Sequence, residues 1–145
     1  MSDPIEIVRR FYREIWNEGR LEAISDICHR DMIFRGSLGV HKNGAEGFAE
    51  YVRDVRGALN DYRCDIEETV SEDNRVFARM RFTGVHSGDF LGYAPTGVAV
   101  HWAGAALFRI ERGRIVNLWV LGDVHGLLAQ LAASSEGRSS TGATE

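Results

Sequence analysis

Apolar residues return every three or four positions at the start of the chain, at Ile5, Val8, Phe11/Tyr12 and Ile15/Trp16. This period predicts an amphipathic helix. Asp3 can cap it, Pro4 suits the first helical position, and Glu6 completes a capping-box spacing. Asn17 and Gly19 end it. A shorter helix is expected over residues 21–28 and a brief strand over 32–35. A Gly-containing loop then runs to Asn43, and Phe48, Val52, Val55 and Leu59 mark one face of a second long helix over 44–59. Beyond Asn60-Asp61 the period changes to strict alternation, the mark of strands. Tyr62, Cys64, Ile66 and Val70 alternate with polar residues, and Glu72-Asp73-Asn74 turns the chain into a strand over 75–85. A Gly-rich loop over 86–96 follows. Strands over 98–110 and 114–123 are then joined through Glu111-Arg112-Gly113, and a last helix is expected over 124–131. Residues 134–145 carry no large apolar side chain and read as a disordered tail to a single domain of residues 1–133. Helices followed by an antiparallel meander define an α+β class, with a curved sheet wrapped around a helical layer and a natural cavity inside.

Composition narrows the function. At 145 residues with 44% apolar and 26% charged positions, the chain is sized for one core. The net charge of −4 and the absence of a basic run argue against a nucleic-acid surface. No apolar stretch approaches the ~20 residues that span a bilayer, and the first residues do not read as an export signal, so a cytoplasmic location is expected. Cys28 and Cys64 are far apart in sequence with no Cys/His cluster beside them, and the five histidines are scattered. No metal, cofactor, Gly-rich phosphate loop or nucleophile elbow is expected.

The last hairpin carries the candidate chemistry. A three-residue loop with Gly113 in the left-handed conformation would pair Ile110 with Arg114 and set His101 opposite Asp123. Ala103, Ala105, Leu107, Asn117, Trp119 and Leu121 then share their face, and the two alanines would leave room for a pocket. A two-residue turn would instead put His101 and Asp123 on opposite faces. In an apolar pocket a carboxylate loses hydration and becomes a better base. His101 or a Trp N–H would stabilise the enolate formed when a proton leaves carbon next to a carbonyl. Asp123 also stands where an N-cap is favoured, and capping explains it equally well. Trp16, Tyr93, Trp102 and Trp119 are candidates for an apolar pocket wall.

Four segments identify a likeness: W-N-E-G-R-L at 16–21, G-A-E-G-F at 44–48, G-V-H-S-G-D-F-L-G-Y-A-P-T-G at 84–97, and E-R-G-R-I-V-N-L-W-V-L-G-D-V-H-G-L-L-A-Q-L at 111–131. In that order and spacing the chain resembles the SnoaL-like polyketide cyclases of the nuclear transport factor two-like superfamily. The resemblance implies a cone-shaped barrel of curved antiparallel sheet packed on N-terminal helices, in a homo-oligomer, either dimer or tetramer. It also implies cofactor-independent acid/base ring closure of a hydrophobic polyketide ester by an intramolecular aldol reaction, with Asp123 as general acid and base and His101 beside it. Two alternatives remain at this point: opening of an epoxide supplied by a monooxygenase, and ligand binding without chemistry.

Overall fold

The computed structural model describes the backbone of residues 3–144 and the side chains of residues 3–135. The chain opens with α1 (Pro4–Arg10), whose N-terminus is capped by Asp3 accepting the Ile5 N–H at 3.0 Å. The expected helix continues to Asn17 in a wider form, a π-helical segment over Phe11–Asn17, closed by the Glu18 N–H donating to the Arg13 carbonyl. This winding turns Phe11, Tyr12, Ile15 and Trp16 all inward, and all four are buried. A 3₁₀ turn (Leu21–Ala23) and a short α2 (Ile24–Ile27) follow. The first strand, β1 (Cys28–Arg35), starts four residues before the expected position, and the expected loop holds a short β2 (His41–Asn43). Then come α3 (Gly44–Ala58), β3 (Leu59–Glu72), β4 (Arg75–His86), β5 (Ala99–Glu111), β6 (Arg114–Gly122) and α4 (Val124–Thr144). The last helix passes the expected end at residue 131. No described helix is long and apolar enough to cross a membrane.

The fold is α+β, as expected, with one six-stranded sheet in the order β2-β1-β6-β5-β4-β3. The sheet curls around the helices without closing, so β2 and β3 are its edges. It is mixed, because β1 runs parallel to β6 while every other pairing is antiparallel. The N-terminal helices fill the concave side, where Phe11 packs on Phe48 and Phe108 at 5.5 Å each.

Two carboxamides stand in for missing strands. Asn17 accepts the Cys64 N–H at 2.7 Å and donates to the Cys64 carbonyl at 3.0 Å, pairing the outer edge of β3, where no further strand follows. Gln130 of α4 does the same for His101, accepting its N–H at 3.0 Å and donating to its carbonyl at 2.7 Å, where β6 has already ended. Main-chain polar groups must be paired somewhere. These two side chains give W-N-E-G and L-L-A-Q-L a structural task in this chain.

The hairpin between β5 and β6 corrects one expectation and keeps another. Its turn has two residues: Arg112 and Gly113 both adopt positive φ, 51° and 78°, and Glu111 pairs with Arg114. Alone, that turn would separate His101 and Asp123. A register shift restores the parity, because Ile110 faces Ile115 while Arg109 faces Asn117, leaving Val116 as the extra residue. The face His101, Ala103, Ala105, Leu107, Asn117, Trp119, Leu121, Asp123 is therefore real. Asp123, however, falls beside Ala103, to whose carbonyl its N–H donates at 2.9 Å, and not opposite His101.

Candidate functional site

The predicted face looks outward. His101, Asp123, Leu107, Trp119 and Leu121 are exposed, whereas the alternate residues Trp102, Ala106, Phe108, Leu118 and Val120 are buried. The pocket expected around Ala103 and Ala105 is thus on the other side of the sheet, built from the opposite set of side chains. The physical reason is that both faces of β5 and β6 are apolar, and the π-helical segment brings the larger aromatic surface to the even-numbered side. Asp123 caps α4, accepting the Gly126 N–H at 3.0 Å. Tyr93 is half-buried in the 87–98 loop, where it bridges to Phe90. Trp119 lies on the outer face under the Arg35 guanidinium, 5.9 Å from its ring centre. Of the six residues expected at the site, only Trp16 lines the inner cavity directly.

That cavity is inside the cone. Phe11, Tyr12, Trp16, Phe34, Ser37, Tyr51, Tyr62, Phe82, Leu118 and Val120 enclose a void of about 20 Å³, room for one water-sized group. Its walls are ring against ring: Trp16 meets Tyr51 at 5.9 Å and Tyr62 at 5.5 Å, and Phe34 meets Tyr51 at 5.2 Å. Trp102 stands behind the wall, stacked on Tyr62 at 6.0 Å and tilted on Phe82 at 5.3 Å. Burial pushes the phenols of Tyr12, Tyr51 and Tyr62 well above the usual range, so each keeps its proton.

The 36–40 turn covers the cavity. Ser37 is buried in its wall, seated where Gly122 has no side chain: a Cβ on Gly122 would stand 2.9 Å from Ser37 Cβ and 3.1 Å from Trp102 Cδ1. Gly36 is likewise bare against the Tyr51 hydroxyl, 2.7 Å from where its Cβ would be. Arg35 ties the base of this turn to β6, donating to the carbonyls of Gly36 and Val120. Asp123 follows Gly122 in the chain, with its side chain exposed and turned to the start of α4.

Three buried side-chain atoms in this half of the molecule have no hydrogen-bond partner among the described residues: Tyr12 Oη, Trp102 Nε1 and His86 Nε2. An unpaired buried donor costs about 1–3 kcal/mol. His86, fully buried, also anchors the 87–98 loop. Its Nδ1 accepts the Thr96 N–H at 3.3 Å, which leaves the ring proton on Nε2. Among the described residues no three His, Cys, Asp or Glu side chains gather closely enough to hold a metal ion. Tyr12, Ser37, Tyr51, Tyr62 and Phe82 were not singled out as site residues by the pattern alone. The signal available was a phenol at positions where the helical and strand periods call for plain apolar residues.

A curled sheet packed around helices, with an aromatic chamber inside it, is a cone-shaped α+β architecture. Residues 6–131 match the model of the SnoaL-like polyketide cyclases, and the chain belongs to that family. It is 32% identical over 100 residues to aklanonic acid methyl ester cyclase AcmA of Streptomyces galilaeus, covering 67% of this chain and 68% of that one. Among solved structures it is similar to a protein of Acidithiobacillus ferrooxidans assigned to the polyketide cyclases, at 26% identity and a TM-score of 0.80 over 92% of this chain and 96% of that one. TsrD of Streptomyces laurentii shares the fold, with a TM-score of 0.81 at 24% identity over 92% of this chain and 99% of that one.

Proposed function

We propose that this protein closes a ring in a polyketide ester by an intramolecular aldol reaction, with the substrate's reacting portion held in the cone. The observation that carries this reading is the aromatic chamber inside the cone of a chain that belongs to the SnoaL-like polyketide cyclases. When the 36–40 turn lifts, the substrate's activated C–H comes within reach of Asp123. Asp123 takes the proton, and the resulting enolate carbon attacks a second carbonyl carbon of the same molecule. One C–C bond forms, and the new alkoxide takes the proton back, so the product is an isomer of the substrate and no cofactor is consumed. In this reading His101, on the same outer face and diagonal to Asp123, orients the carboxylate.

Asp123→Asn separates this role from capping, because Asn caps a helix as well as Asp does but cannot act as a base. Turnover of an aromatic polyketide methyl ester should fall by about 10²–10⁴ with the melting temperature unchanged. Near wild-type turnover in Asp123→Asn would exclude the proposed base.

A further inference from the structure

Two buried polar atoms without a partner among the described residues, Tyr12 Oη and Trp102 Nε1, belong to side chains at the chamber wall and just behind it. Tyr12 lines the chamber, and Trp102 packs on two of its lining rings, Tyr62 and Phe82. Trp102 Cδ1, the ring atom bonded to Nε1, is beside Gly122 at the spot where Ser37 closes the wall. Both residues are only 3% exposed, and neither polar atom has a partner among the described residues. The core does not need either group. Phenylalanine at position 12 would keep the edge contacts to Phe11 and Phe108, at 5.0 Å and 5.8 Å, and would remove the unpaired hydroxyl.

We propose that Tyr12 and Trp102 are the specificity-determining donors of the chamber, and that they hold a ketone or enolate oxygen of an otherwise apolar aromatic substrate. An indole N–H can only donate, so this pair selects an acceptor oxygen and rejects an ammonium group, which has no lone pair to offer. Phe11, Trp16, Phe34 and Phe82 offer ring faces to the carbon skeleton. The void itself takes only the oxygen and its neighbouring atoms, so the remaining volume comes from displacing Ser37 and the 36–40 turn, which leaves its notch at Gly122 and Gly36. The substrate class rests on the ring-closing reading above, whereas the donor assignment does not involve Asp123.

The test uses the full chain and two bicyclic probes that differ by one oxygen, α-tetralone and tetralin. The wild type should bind α-tetralone about 10-fold more tightly, as expected for a hydrogen bond made in a buried site. Tyr12→Phe should bring the two probes close to parity, leave tetralin binding unchanged, and hold or raise the melting temperature, since it deletes an unpaired polar group. Trp102 tolerates no isosteric replacement, so its indole N–H resonance is followed instead: it should shift with α-tetralone and stay with tetralin. Equal affinity for the two probes, binding of neither, a ratio unchanged in Tyr12→Phe, or loss of stability in that variant would each overturn the assignment. Discrimination kept without turnover of a keto ester would count against the ring-closing reading alone, and turnover without discrimination would count against the donors alone.

Discussion

Gly104 shows how tightly single positions shape the chamber. A Cβ there would stand 2.4 Å from Cε2 of Phe82, a lining ring, and 3.2 Å from the Leu121 carbonyl. Gly104→Ala should therefore destabilise by roughly 1–3 kcal/mol through overpacking, read as a lowered urea midpoint. Gly57, near the end of α3, has nothing within 4 Å of its missing Cβ. Gly57→Ala should stabilise by up to about 1 kcal/mol on the same assay. At this scale a side chain's identity was readable from the chain but its task was not. Tyr12 reads as one more core residue of a helix because a hydroxyl without a partner leaves no mark on hydrophobic periodicity. Asp123 reads as base or cap because both roles want the same residue before a helix, and the structure shows the cap, with the side chain exposed on the outer face.

Most of the elements follow from period and punctuation, and the exceptions have physical causes. Asp3 and Pro4 set the start of α1, and the change of period after Asn60 marks the passage into strands. The short β2 was missed because three residues are too few for an alternation to register. The pairing of β1 with β6 was missed because parallel neighbours are joined by tertiary packing and not by a turn. Alternation along β5 and β6 correctly grouped His101 with Asp123. It could not say which side faces the helices, since Leu107, Trp119 and Leu121 are as apolar as Phe108, Leu118 and Val120. The surrogate pairing by Asn17 leads to a prediction at this scale. Asn17→Ala leaves the N–H and carbonyl of buried Cys64 unpaired and should cost about 1–3 kcal/mol in chemical unfolding.

Across the whole molecule, two properties are set by the same core. Burial holds the Cys28 thiol up, to about 12, and raises Cys64, Tyr12, Tyr51 and Tyr62 as well. Raised folded-state values mean that only the unfolded chain ionises as pH climbs through the ordinary thiol and phenol range, about 8.5 to 10. Their contribution to stability is therefore complete below that range and declines above it. The urea midpoint should fall steadily above about pH 9, and in a Tyr93→Phe variant, which keeps only the three buried phenols, tyrosinate absorbance should rise together with unfolding and not before it. The outer face adds an expectation about assembly. Val70, Phe77, Leu107 and Trp119 pair in register across four strands to form an exposed apolar row. Arg75, Arg79, Arg81, Asp65 and Glu68 surround it with both signs of charge. A patch that is apolar at its centre and self-complementary in charge suits a second copy of the same chain. Light scattering should give a dimer mass, and Leu107→Glu with Trp119→Glu should give a monomer.

The chain's three tryptophans give the central claim, that substrate binds inside the cone, its most direct test. Trp16 and Trp102 report the chamber and Trp119 the outer face of the sheet, so three indole N–H resonances separate the two sides. Titration with an aromatic polyketide methyl ester should move the Trp16 and Trp102 resonances and leave that of Trp119 in place. Movement of Trp119 alone would put the ligand on the outer face and contradict the account.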